Sequence, residues 1–185
     1  GWLERALNPG EGASMDVVRL EPAALSAADL RGVAAAVVPR PDLLRTEGWR
    51  DLAAFARRGG LVLLSPPEDA VVHGWLDAFE TAWPVDWRIG RETQVLAEPV
   101  GLTVPRRISP LLGLLAGELE DLLRPVLLDR RLVVTPGERT DTILAAEDGT
   151  PWMIAAWAGA GAEGEGSGSD GDPGGLLVLL ASAPM

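Results

Sequence analysis

The sequence predicts an α/β fold of three layers, a mostly parallel central sheet between helices, extended by an antiparallel hairpin. Two observations carry that expectation. Val33 to Val38, Leu61 to Leu64 and Leu176 to Leu180 are short runs without a polar interruption. Strands apolar at every position belong to sheets covered on both faces, which is the parallel case. Between the first two runs lies a helix with its punctuation in place. Thr46 stands where an N-cap belongs. Trp49, Leu52, Ala53 and Ala56 recur at i, i+3, i+4 and i+7. Arg57 and Arg58 close the last turn, where cations suit the carbonyl end, and Gly59 supplies a left-handed stop. Strand, helix and strand in this order form a crossover unit, right-handed by rule.

The remaining elements follow in chain order. Trp2, Leu3, Ala6 and Leu7 form a short amphipathic helix closed by Asn8-Pro9-Gly10. Met15 to Leu20 is a strand near an edge, because Asp16 and Arg19 interrupt it. Glu21 to Asp29 is a short helix or turn entered at Pro22. Pro66 and Pro67 force an extended exit from the Leu61 strand. Ala70 to Trp83 is a helix, with Val72, Trp75, Leu76, Phe79 and Trp83 on one face. His73, Asp77 and Glu80 share the opposite, polar face. Glu92 to Val104, broken by Pro99 and Gly101, is a hairpin or an irregular edge. Ser109-Pro110 opens a helix to about Leu123, with Leu112, Leu115, Leu119 and Leu122 inward. Val126 to Val134 is one or two short strands. Thr142 to Ala146 and Trp152 to Ala156 flank Glu147-Asp148-Gly149-Thr150, a hairpin signal. Ala158 to Gly175 is low-complexity, has almost nothing to bury, and reads as a flexible loop.

Length and composition bound the function. A chain of 185 residues is most simply one domain, residues 1–185. The net charge of −11 repels phosphate backbones and anionic lipid, so nucleic acid is not an expected partner. Every basic residue is Arg, which excludes a Schiff-base or phosphate-cradling lysine. Cys is absent, which removes disulfides, thiolate metal sites and a cysteine nucleophile together. No apolar run approaches the roughly 20 residues that span a bilayer, and no signal peptide is visible. The abrupt start inside a helical pattern reads as a segment of a longer protein.

The residue types that carry chemistry gather at one place. Parallel strands offer ligands their C-terminal ends. Arg40 and Asp42 follow the Val33 strand; Ser65, Glu68 and Asp69 follow the Leu61 strand. These five residues form a candidate ligand-binding edge. A nucleophilic Ser65 needs a tight elbow and backbone donors for an oxyanion. Leu64-Ser65-Pro66-Pro67 supplies neither, so a strand-capping serine is expected. His73 is the single histidine, and any Ser–His or metal scheme must use it. Its helix periodicity places it in solvent, one turn before Asp77. Glu163, Glu165, Asp170 and Asp172 do not follow the spacing of a calcium loop. No catalytic residue, metal site or cofactor is therefore expected. The seven tryptophans are expected mainly in the core.

The segments A-A-D-L-R-G-V-A-A-A-V-V-P and W-R-D-L-A-A-F-A-R-R-G-G-L-V-L-L-S, then I-S-P-L-L, T-I-L-A-A-E-D-G-T-P-W-M-I and G-G-L-L-V-L-L-A-S, form a pattern over nearly the whole chain. It resembles the glutamine-amidotransferase-like, flavodoxin-like domain of BatA-type, aerotolerance-regulator-like bacterial membrane proteins, which carry a double-transmembrane region. A similar strand–helix–Gly-Gly–strand unit occurs in the non-catalytic trimerisation domain of some β-galactosidases. Class I amidotransferases carry a cysteine at a strand-end elbow, with His and Glu downstream. This sequence has no Cys, and no His follows His73. The resemblance thus implies a non-catalytic interaction or ligand-sensing domain on a degenerate amidotransferase-like fold. It further implies an extracytoplasmic position, tethered to the inner membrane, with other domains of its parent protein or a separate protein as partner. The alternative is a hydrolase- or transferase-like enzyme working at Ser65, Glu68 and Asp69.

Overall fold

The computed structural model describes residues 16–105, 109–115, 117–158 and 174–182. Its opening unit is β1 (Ala35–Val38), helix α1 (Thr46–Arg57) and β2 (Leu61–Leu64), with β1 and β2 parallel in register Ala35 to Leu61. Helix α1 buries Trp49, Leu52, Ala53, Phe55 and Ala56. Thr46 is its first residue and not its cap; Arg45 precedes it, without a side-chain capping bond. The stop is the one the sequence implies. Gly59 has φ of 99°, its N–H donates to the Ala56 carbonyl at 2.9 Å, and the Gly60 N–H donates to Phe55 at 3.2 Å. Those two bonds are the Schellman pattern.

The chain then leaves the parallel pattern. Helix α2 (Leu76–Ala82) leads to β3 (Arg88–Thr103). Helix α3 (Leu119–Leu123) precedes β4 (Leu127–Thr135), β5 (Asp141–Ala146), β6 (Pro151–Trp157) and β7 (Leu176–Leu180). Among the described residues the sheet has seven strands in the order β1-β2-β7-β6-β5-β3-β4. Strand β7 inserts between β2 and β6, parallel to the first and antiparallel to the second. The pairings β6–β5, β5–β3 and β3–β4 are all antiparallel.

The expected three-layer, mostly parallel sheet is therefore corrected to a mixed sheet, parallel on one side of β7 and antiparallel on the other. Two physical reasons account for the difference. An unbroken apolar run does not fix the partner's direction, and in β1 and β2 it does not mean burial on both faces. Val62 and Leu64 are fully buried, whereas Leu61 and Leu63 are half-buried and Ala35 is exposed. Second, Pro99 and Gly101 do not end the strand they interrupt. The β3–β4 register shifts between Val95 and Val100, which takes Pro99 out of the ladder, and β3 runs on for 16 residues. A bulge is where a sheet tolerates proline. The antiparallel part bends back on itself: the Leu132 N–H of β4 donates to Ala181, just past β7, at 2.6 Å.

Other expectations need local revision. Residues 16–20 form no regular structure, and Val18 and Leu20 are exposed. The segment after Ser109 is a 3-10 helix, Pro110–Leu115, followed by the short α3, in which Leu119 is buried and Leu122 exposed. Trp49, Trp75, Trp83, Trp87 and Trp152 are buried, but Trp157 is exposed. The expected N-terminal helix at residues 2–7 and most of the expected loop, residues 159–173, lie outside the described residues. The ends of that loop meet: the Ala158 N–H donates to the Gly175 carbonyl at 2.9 Å.

The β5–β6 turn is the hairpin the sequence signals, with Gly149 at φ of 84° and Asp148 Oδ1 accepting the Thr150 N–H at 3.0 Å. Asp148 also ties this turn to β4. Arg131 is buried, and its guanidinium meets both Asp148 oxygens, Nη1 to Oδ1 at 3.0 Å and Nη2 to Oδ2 at 2.7 Å. Its Nε donates to Gln94 Oε1 at 3.2 Å. The Arg131 guanidinium, then the Thr150 N–H, hold the Asp148 carboxyl well below the usual carboxylate range. Because the folded value is depressed, this stabilisation is present above the unfolded value of about 3.9 and is lost as pH falls through the folded one. Asp148 is part-exposed, so solvent screens the pair. Asp148→Asn is expected to cost about 1–2 kcal/mol, mostly by leaving Arg131 without its carboxylate. Urea unfolding at pH 7 measures it, and the gap between variant and parent narrows toward pH 2.

Candidate functional site

The five residues proposed for the strand-end edge lie on the loops after β1 and β2. The loop after β1 turns at once into a 3-10 helix, Pro41–Leu43, entered at a proline. That turn folds Arg40 and Asp42 onto each other. Arg40 Nε donates to Asp42 Oδ1 at 2.9 Å and Nη2 to Oδ2 at 2.8 Å. The Arg40 side-chain bond holds the Asp42 carboxyl below its ordinary value. Asp69 adds a small part to the field that raises the Arg40 pKa, behind the bond to Asp42. Glu68 and Asp69 form an exposed turn, and the Glu68 carbonyl accepts a bond from Arg130 Nη1 of β4 at 3.0 Å. Ser65 is only 3% exposed, and its N–H donates to the Val38 carbonyl at 3.2 Å, extending the β1–β2 ladder by one step. Pro66 and Pro67 beyond it are buried.

His73 overturns the solvent-facing expectation. It is 1% exposed. The helix that sets the periodicity starts only at Leu76, and residues 70–73 are extended against β3. Val72 bridges Glu92 antiparallel, the His73 N–H donates to the Arg91 carbonyl at 2.8 Å, and the Thr93 N–H donates to Val71 at 2.8 Å. The signal was present in the sequence. Val71-Val72 is a β-branched pair and Gly74 follows His73, a combination that disfavours a helix before residue 75.

Both ring nitrogens of His73 are engaged. Trp75 Nε1 donates to His73 Nδ1 at 3.1 Å. Nε2 lies 2.8 Å from Thr93 Oγ1. Thr93 Oγ1 spends its own proton on the Ala70 carbonyl at 2.9 Å, so toward His73 it accepts. Indole N–H donates only. The ring is thus neutral, with its proton on Nε2. Burial pushes its pKa down, against a smaller opposing pull from Asp42. Around it stands an aromatic cluster. Trp75 stacks on Trp49 at 6.0 Å, and Phe79 meets both edge-on at 5.9 and 6.0 Å.

Chemically, the edge pairs Arg40 with Asp42, and the His73 ring spends both its nitrogens on Trp75 and Thr93. A serine nucleophile needs a base within hydrogen-bond reach, with a free lone pair to take the proton. The His73 lone pair is filled by Trp75, and its N–H is spent on Thr93. The cavity found nearby is an open trough of about 550 Å³ along β3 and β4, lined by residues 90–94 and Val133. It takes no residue from the Arg40–Asp42 or Ser65–Asp69 loops. Among the described residues no group of three or more His, Asp or Glu is placed to hold a metal ion, and no helix is long and apolar enough to cross a membrane.

No family model matches the sequence, and no curated protein matches it. Among solved structures the chain is similar to an exo-beta-1,4-mannosidase from an Opitutaceae bacterium. The TM-score is 0.47 and the identity 13%, over 86% of this chain and 22% of that one. The chain spans about a fifth of that enzyme's length, and a likeness of this grade carries no argument about fold or activity.

Proposed function

We propose that this chain is a non-catalytic interaction or ligand-sensing domain of a bacterial membrane protein, working on the extracytoplasmic side against other domains of its parent or a separate protein. The observation that carries the non-catalytic half is the His73 ring, whose lone pair and N–H are both committed to Trp75 and Thr93. Burial of Ser65 and the Arg40–Asp42 pair support it. The membrane and partner assignment rests on the sequence resemblance to BatA-type proteins. An acidic surface of net charge −11 favours a protein partner over nucleic acid.

The test expresses the domain and the remainder of its parent as separate polypeptides and follows both through gel filtration. Each fraction is assayed against an ester panel and glutamine. The expected result is co-elution without turnover. Turnover present in the parent sequence and lost in Ser65→Ala overturns the reading in favour of the enzyme. Separate elution overturns the partnership with the parent's other domains.

A further inference from the structure

Among the described residues, the connection from β2 to α2 is held to the antiparallel half of the sheet by the Arg130 bond to the Glu68 carbonyl and, further along, by a set of bonds around His73. Residues 70–73 leave β2's end and pair with β3 by two backbone bonds, His73 N–H to Arg91 and Thr93 N–H to Val71, both 2.8 Å. Two side-chain bonds join them, Thr93 Oγ1 to Ala70 and His73 Nε2 to Thr93. The fifth bond, from Trp75 Nε1 to His73 Nδ1, ties this pairing to the aromatic cluster. Flanking the attachment, Val71 and Val72 are exposed and add little burial of their own.

We propose that His73 is a proton-operated latch: the neutral ring fastens residues 70–75 to β3, and protonation at Nδ1 releases that connection while the sheet stays folded. Hydrogen-bond arithmetic carries the inference. Trp75 Nε1 has nothing to offer but a proton, and a protonated Nδ1 has nothing to offer but another. Acid therefore turns an attractive contact into two donors facing each other in a dry site. The latch stands whether or not the strand-end edge binds a partner.

The charges around the ring come from each element packed on it. Asp42, on the turn after β1, favours the cation, but Arg40 already clamps it. Asp69, on the β2 loop, acts on Arg40. From β3, Arg91 gives His73 its backbone carbonyl, while its guanidinium is taken by Asp77 at 2.6 Å and Glu80 at 3.3 Å. Glu92 is exposed opposite Val72. Burial outweighs the pull of Asp42. The sign follows. A histidine whose folded pKa is lowered binds fewer protons closed than open. The closed state loses ground as pH drops below the open-state value of about 6.5, and the loss levels off below the closed-state value.

Because the chain has a single histidine, its imidazole signals in an NMR spectrum are unambiguous. The experiment records the 15N shifts of both ring nitrogens and the titration of the ring. Alongside, amide exchange is measured at pH 7.5 and 5.0, corrected for intrinsic rates. The expected ring is the Nε2–H tautomer, titrating below 6.5. Protection of residues 71–75 and 91–93 falls by up to about 30-fold between the two pH values, while β2 and β7 keep theirs. His73→Gln is expected to abolish that local pH dependence. Should His73→Gln not fold, Trp75→Phe is expected to weaken it by removing the opposed donor. An Nδ1–H tautomer, titration at or above 6.5, or loss of protection across the whole sheet at once overturns the latch.

Discussion

Trp49→Ala is expected to lower stability by about 3–5 kcal/mol, the cost of emptying a core tryptophan site. Trp49 is 1% exposed and lies at the meeting point of α1 and α2. Its ring stacks on Trp75 at an interplanar angle of 8° and takes the edge of Phe79 at 72°. Rigid neighbours cannot collapse into the space, so the lost contacts are not recovered. For a domain of this length the melting temperature should fall by roughly 6–20 °C. Differential scanning calorimetry measures it. A fall under about 3 °C indicates that the aromatic cluster is not the packing centre. Loss of Trp49 also loosens Trp75, so the pH dependence of residues 71–75 should weaken in the same variant.

Gly175→Ala is expected to be nearly as damaging, at about 3 kcal/mol, the upper part of the usual range for forced overpacking. A Cβ on Gly175 meets the carbonyl oxygens of Gly60 and Ala56. Both are backbone, and both already accept bonds from this strand: Gly175 N–H to Ala56 at 2.7 Å and Leu176 N–H to Gly60 at 3.2 Å. The end of α1, the start of β2 and the start of β7 thus meet where no side chain fits. Gly59→Ala is the control. Its φ of 99° strains an alanine, but nothing lies within 4 Å of the added carbon, so it should cost about 1 kcal/mol. Chemical unfolding of the two variants separates steric exclusion from backbone strain. Equal losses contradict the close approach.

The contrast between what the sequence showed and what it hid has a physical basis. The strand–helix–strand unit was legible because its signals are local: a 3.6-residue face on α1, and Gly59 where the backbone turns left-handed. The β5–β6 hairpin was legible for the same reason, through Asp148-Gly149. Strand direction was not local. Leu176 to Leu180 is parallel to β2 and antiparallel to β6 with one set of side chains, and nothing in five apolar residues encodes both partners. Pro99 was read as an interruption because the bulge that accommodates it is defined by β4. At the candidate edge, the sequence put Arg40 and Asp42 on one short turn, and there they pair with each other. It missed His73, because a helical period was extended back from Leu76 to Ala70, through Gly74, into residues that pair with β3 instead. It also missed Arg131 and Asp148, whose meeting depends on how the antiparallel half bends.

The non-catalytic reading rests on Ser65 being a sealed strand end and His73 having no lone pair to offer. A fluorophosphonate probe reports on both at once, since it labels a serine only where a base activates it and solvent reaches it. The folded protein at pH 7.5 is incubated with the probe and digested, and the peptide spanning residues 59–88 is weighed. The expected result is no adduct on Ser65 after hours of exposure. A stoichiometric adduct on Ser65, absent in a folded His73→Asn variant, would contradict it.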